Sequence, residues 1–300
     1  MEEPIVAGLR LVQYVGVALL LGAPLFLAGA GRDLPSRYWA RPLTIAAAGL
    51  TALGAAGALT AQTAVMAGSW SEALKPGSLS LVAFQTPFGL SMVTRAGAAL
   101  TALAALALLK TGRTAWTASI VAGLVAAGSF AWSGHAGSTE GAGARLHLAA
   151  DVLHAVAAAV WLGALAALTL TCLDRGAAQS RETARAFARF SGVGISAVVA
   201  LAATGLVNSA FLVGPEKIGE LGDGLYGRLL LFKLTLFAAM LALAWSNRTR
   251  LTPALAAAGP AEAEAALARL RASVLVETAL GLAVLAVVAV MGVEAPPGLM

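Results

Sequence analysis

The chain has 300 residues, of which 59% are hydrophobic and only 12% charged, with a mean hydropathy of +0.83. So few polar side chains cannot clothe a water-soluble surface, and the composition is that of a membrane protein. The net charge of +5 would ordinarily raise nucleic acid as a partner, but the basic residues fall mostly in short connections between apolar runs, where they report orientation in a bilayer; no nucleic-acid partner is expected.

Runs of about 20 apolar residues, enough to cross roughly 30 Å of hydrocarbon, occur eight times: 5–29, 42–67, 91–109, 114–133, 147–172, 191–213, 228–246 and 273–292. Alanine and leucine dominate them, so they read as helices rather than barrel strands. The first follows Met-Glu-Glu-Pro, lacks a basic n-region and is too long for a secretory signal, so it is expected to remain as a helix. The connection 68–90, with Trp70, Phe84, Pro87 and Phe88, has the aromatic content of a segment resting at the membrane interface. The stretch 253–271, with Glu262, Glu264, Arg269 and Arg271 among alanines, reads as an amphipathic surface helix or an extension of the eighth span. The expected fold is an all-α polytopic bundle of eight transmembrane helices, one membrane domain over 1–300 with halves 1–133 and 134–300.

The halves carry traces of a parallel four-plus-four repeat. Residues 13–22 can be laid on 154–163, and Thr86-Pro87-Phe88-Gly89 with Arg95 on Leu225-Tyr226-Gly227 with Lys233, each basic residue six positions after the glycine. Gln13 then takes the place of His154, which confines any metal chemistry to the second half.

Orientation follows the Lys and Arg count. The connections after spans one, three, five and seven hold Arg32, Arg37 and Arg41; Lys110 and Arg113; Arg175, Arg181, Arg185 and Arg189; and Arg248, Arg250, Arg269 and Arg271, together 13 of the 20. The other side holds Arg10, Lys75, Arg145, Lys217 and Arg228. Both termini and the loop after the fourth span are therefore expected to face outward, into the periplasm.

All three histidines, His135, His147 and His154, fall within twenty positions. On a helix His147, Asp151 and His154 are spaced i, i+4, i+7 and share one face. His147 and His154 are then about 10 Å apart along the axis, too far to hold one ion together. His135, just beyond the fourth span, can meet His147 at a mouth site. His154 is then a deeper station, with Asp151 between them as ligand, proton acceptor or supporting partner.

Imidazole suits copper, zinc, iron and nickel, whereas thioether favours Cu(I). Met66, Met92 and Met291 fall near the outer ends of their spans, which tilts the choice to copper, with Met66 and Met92 as candidate ligands and core filling as the alternative. Arg95 and Lys233 lie about 9 Å below the outer surface and Asp151 about 6 Å, so one of the cations is expected to pair with Asp151. Glu277 has no evident partner and reads as an inner gate, a proton site or a packing anchor. Cys172, the one cysteine, excludes a disulfide within the chain and a multi-thiolate cage; it reads as a buried inert thiol rather than an exit ligand.

Several of these residues fall into recognisable runs. Thr204-Gly205-Leu206-Val207-Asn208, Tyr226-Gly227-Arg228-Leu229-Leu230 with Lys233, the stretch 273–277 ending in Glu277 before an apolar helix and Pro296-Pro297, and His154 with Trp161-Leu162-Gly163 together resemble the membrane domain of the copper resistance protein D (CopD) family. The resemblance covers nearly the whole chain and is strongest over 147–297. It implies a multi-pass protein of the bacterial inner (plasma) membrane that handles copper, commonly beside a small periplasmic copper-binding protein of the CopC type; no CopC-like domain is expected to be fused here. The expected function is copper transport from periplasm to cytoplasm, by ligand exchange from His135 and His147 past Asp151 to His154. Without a phosphate-binding loop, neither ATP-driven pumping nor enzyme activity is expected. The alternatives are a redox protein holding b-type haem between histidines and a copper-binding or assembly protein that does not transport.

Overall fold

A computed structural model describes residues 3–34, 37–109, 112–173, 179–259 and 261–299. Lys110 and Arg175, two of the cations counted above, lie outside them, as do Met1 and Glu2. The helices are α1 Glu3–Ala28, α2 Ala40–Ala67, α3 Trp70–Ala73, α4 Pro76–Gln85, α5 Pro87–Leu108, α6 Arg113–Gly128, α7 Ala144–Leu173, α8 Gln179–Leu212, α9 Leu225–Ser246, α10 Thr252–Ala257 and α11 Ala263–Met291. There is no strand among the described residues. Among the described residues eight segments are long and apolar enough to cross a membrane, one for each predicted run.

The predicted and observed ends differ most where a span continues beyond the hydrocarbon. The sixth begins at Arg181 rather than 191 and the eighth at Ala263 rather than 273, because Ala, Arg and Glu are good helix formers and carry the helix onward past the last apolar turn. The stretch 253–271 is thus divided between α10 and the start of α11, after a π-type turn at Asn247–Leu251. At the same end Arg189 on α8 donates to Asp33 at 2.5 Å, tying the connection after α1 to α8 and holding the Asp33 carboxyl below its ordinary value.

Helix α1 is central, packing on α2, α6, α7 and α11. Its crossing with α7 is closest at Gly22 and Gly163, where a Cβ on Gly163 would lie 1.9 Å from the Ala18 carbonyl oxygen and 2.8 Å from the Gly22 Cα. Small residues permit such backbone approach, and packing rather than hydrophobicity holds helices together in lipid. A second pair of tight glycines opens two spans. Gly89 in α5 faces the Val82 carbonyl oxygen and Gly227 in α9 that of Leu221, each 1.9 Å from where a Cβ would sit. Four buried hydroxyls are satisfied locally: Thr44, Thr51, Thr169 and Thr171 each donate to the carbonyl four residues earlier, which removes the penalty of burying them. Helix α9 is attached differently, packing along α11 and the π-type turn without substantial packing on α7 or α8.

Candidate functional site

Helices α1, α7, α8, α9 and α11 enclose a cavity of about 550 Å³ whose lining includes His135, His147, Asp151 and His154. The helical stripe predicted on α7 therefore faces a single space, and the short turn at His135–Ser138 brings His135 to it. His135 Nε2 is buried without a hydrogen-bond partner. Burial pushes the His135 imidazole below its ordinary value, and the nearby Arg10 guanidinium adds to this.

His147 is fully buried. Its ring stacks on Phe211 of α8, with centroids 4.6 Å apart and planes 4° apart. Gly143 makes room for that ring, since a Cβ there would lie 2.6 Å from it. The Thr139 hydroxyl engages His147 Nδ1 at 2.7 Å, leaving Nε2 for a ligand. Two helical turns further along α7, His154 Nδ1 meets the Thr204 hydroxyl at 2.9 Å. That hydroxyl already donates to the Ala200 carbonyl at 2.6 Å, so it can only accept from the ring. The proton is thereby assigned to Nδ1, and Nε2 keeps a bare lone pair, the arrangement by which a hydrogen-bonded neighbour orients a metal-binding imidazole.

Asp151 accepts a hydrogen bond from Asn208 Nδ2 of α8 at 3.0 Å, and no ion pair to it occurs among the described residues. Lys233 lines the same cavity and interacts electrostatically with Asp151 and His154, so the expected close pairing is replaced by a looser association. Arg95 does not take part. It is 1% exposed and stands in a separate cluster of the first half, donating to Gln13 Oε1, to Ser129 at 3.0 Å and to Ser133 at 3.1 Å, with its guanidinium 3.8 Å from the centre of the Phe130 ring. The reason is neighbourhood: α5 packs on α2 and α6, so its cation meets α1 and the turn after α6, not α7.

The methionine expectations also change. Met66 is 56% exposed on the outside of the bundle. Met92 is buried, with its sulfur 3.7 Å from Arg95 Nη1, in the first-half cluster. Neither lines the histidine cavity, whereas Met240 and Met291 do. Glu277, expected to lack a partner, accepts from Asn247 Nδ2 at 2.8 Å beneath the cavity, where the π-type turn places Asn247. Cys172 is buried. Among the described residues no three His, Cys, Asp or Glu side chains stand close enough to hold one ion. Thr139, Thr204 and Asn208 are the partners that sequence reasoning missed. The signal for two of them was present, since Thr204 and Asn208 are polar residues one helical turn apart in an apolar span.

A model of the N-terminal domain of copper resistance protein D-like proteins matches residues 1–146, and a model of copper resistance protein D matches residues 184–291. The chain is 30% identical over 308 residues to copper resistance protein D of Pseudomonas syringae pv. tomato, covering 99% of this chain and 98% of that protein. The chain belongs to the copper resistance protein D family. Copper transport protein CutJ of Bacillus subtilis (strain 168) is 29% identical over 255 residues, which span 80% of this chain and 46% of that protein. Inner membrane protein YebZ of Escherichia coli (strain K12) is 34% identical over 122 residues, 40% of each chain. No solved structure matches significantly. This member of the family is a multi-pass inner-membrane protein, and the cavity brings together residues from several of those runs: Thr204, Gly205, Leu206, Asn208, Tyr226, Lys233, His154 and Trp161 all line it or support its lining.

Proposed function

We propose that the protein carries copper from the periplasm towards the cytoplasm through the histidine-lined cavity. The observation that carries the reading is the convergence of His135, His147, Asp151 and His154 on one space in a chain of this family. His135 and His147 receive the ion at the mouth, and His154 takes it deeper through a lone pair readied by Thr204. Two imidazoles with an occasional thioether suit a soft, low-coordinate ion such as Cu(I), and exchange between weak neighbouring sites lets the ion leave as well as enter. Asp151 compensates the arriving charge, while Asn208 keeps it oriented.

The basic residues of the connections support an orientation with both termini, and the cavity mouth, in the periplasm. A periplasmic protein of the CopC type is then the natural donor. The chain acts as one membrane domain of two parallel halves, 1–133 and 134–300. Supporting this, the aligned glycines Gly22 and Gly163 meet each other, and the aligned Gly89 and Gly227 each press on a preceding carbonyl. The first half keeps Gln13 and Arg95 where the second has His154 and Lys233, and so holds a structural cluster rather than a metal station.

The test is Cu(I) uptake by sealed liposomes containing the purified protein and an enclosed copper-sensitive dye. Uptake above that of protein-free liposomes, lost in His147→Ala and His154→Ala, is expected. Stoichiometric copper binding without flux would make the protein a binder or assembly factor, and purification with iron and a Soret band would turn the case to haem.

A further inference from the structure

The cavity is much larger than an ion requires, and it opens sideways. Its volume of about 550 Å³ is in the range of pockets that hold organic molecules, roughly 300–1,000 Å³, whereas a water occupies only about 30 Å³. Helix α9 packs on α11 but not substantially on α7 or α8, so a gap runs between α8 and α9. Leu206 on α8 and Leu234 on α9 mark its edges: both line the cavity, yet they are 75% and 51% exposed. In a membrane, that exposure is to acyl chains, and the gap is a route from the bilayer core to His154.

The chemistry at the inner end restricts what can use the route. Asp151 and Lys233 bring formal charges that cancel, so a fatty acid or phospholipid headgroup would place an uncompensated anion beside Asp151, at high cost in an apolar setting. The unused hydrogen-bonding groups are of both kinds. Asn208 Oδ1 is buried and lacks a donor, His154 Nε2 is a bare acceptor, and Lys233 is a donor in the same lining. The wall behind them is aromatic, with Trp161 and Phe237 packed edge to face at 5.8 Å. The complementary ligand has a neutral, planar head that can accept hydrogen bonds in one form and donate them in another, and an apolar tail that stays in the gap.

We propose that this cavity binds the ring of an isoprenoid quinone or quinol, which enters from the bilayer between α8 and α9 with its tail left between Leu206 and Leu234. Quinone carbonyls accept from Lys233, and quinol hydroxyls donate to His154 Nε2 and Asn208 Oδ1. The site goes beyond the copper reading and does not depend on it, because binding can be measured with no copper present.

Decylubiquinone is titrated into copper-free protein in detergent, and quenching of tryptophan fluorescence is followed, Trp161 being in the cavity wall. Saturable quenching is expected for the wild type. In Gly205→Leu the affinity falls at least tenfold, since a Cβ at Gly205 already lies 3.7 Å from His154 Cε1 and a longer side chain fills the ring position. Asn208→Leu, which keeps the cavity open but removes a hydrogen-bonding group, weakens binding about fivefold and carries the test if Gly205→Leu does not give a monodisperse helical protein. Quenching that fails to saturate in the wild type, or that is equal in it and the folded variants, overturns the proposal. So does displacement by monoolein at the same concentration as by a second quinone, which would make the cavity a general acyl-chain site.

Discussion

Gly163→Ala tests the packing on which the histidine helix depends. The added Cβ would start 1.9 Å from the Ala18 carbonyl oxygen, and carbon atoms of this kind essentially never approach nearer than 3.0 Å. The helices must therefore part by about 1.1 Å at the crossing, and no flexible side chain can yield instead, because the opposing atoms are the backbone of Ala18 and Gly22. A gap of that size forfeits roughly a quarter to a half of each dispersion contact around it, and overpacking of a rigid interior costs about 3 kcal/mol. At 2–4 °C per kcal/mol for a chain of comparable size, the melting midpoint in detergent should fall by roughly 6 to 12 °C. Gly49→Ala in α2, where nothing lies within 4 Å, is the matched control and should be neutral or slightly stabilising, as for any unobstructed helical glycine. Monitoring monodisperse protein by size exclusion after stepwise heating reads both. A Gly163→Ala midpoint within a degree of the wild type, or an equal loss in Gly49→Ala, refutes the reasoning. Because α7 also carries His147 and His154, the same displacement should slow copper uptake in protein that remains folded.

Thr204→Val should lower copper affinity about ten- to a hundredfold with little change in melting, because it removes the acceptor that fixes His154 Nδ1–H; unchanged affinity in a competition titration would show that Thr204 does not orient the ring. Burial and Arg10 keep His135 unprotonated below the ordinary imidazole value of 6.5, so its ligand-ready form persists as pH falls through 6.5 and is lost only at lower pH. The pH midpoint of copper binding should accordingly lie below 6.5 and move up towards it in Arg10→Gln; a midpoint that does not move contradicts the role of Arg10. Asn247→Leu removes the donor to Glu277 and should cost about 1–3 kcal/mol, much of it recovered in the Asn247→Leu, Glu277→Leu double variant; chemical denaturation in mixed micelles measures both. Met66→Leu should leave copper binding unchanged, since Met66 is exposed and does not line the cavity.

The eight spans were legible because the thickness of the bilayer sets their length, and apolar runs of that length are hard to hide. Their ends were less so, as at Arg181 and Ala263, where helix-forming polar residues carry the helix on past the point at which hydropathy falls. The stripe of His147, Asp151 and His154 was legible for a related reason: within one helix, spacing alone decides which side chains share a face. Partners across helices were not. Hydropathy gives the depth of Arg95, Lys233 and Met66 but neither their rotation about the helix axis nor the identity of the adjacent helix. Arg95 therefore found Gln13 instead of Asp151, and Met66 turned outward. Asn208 was hidden by the same limit, since it lies in a different helix from the carboxylate it serves.

The meeting of Gly22 with Gly163 also sets a clock for biogenesis. The two residues are 141 positions apart, so at a synthesis rate of about 5–20 residues per second α1 waits roughly 7–28 s in the membrane before α7 exists. Helices α2 and α6 reach it earlier and cover its other faces, but the small-residue surface around Ala18 and Gly22 stays open to lipid throughout. The first half must therefore hold its shape with one side unfinished, and the buried cluster of Arg95, Gln13, Ser129 and Ser133, all supplied before residue 134, is what can fix α1, α5 and the end of α6 in place until the histidine helix arrives.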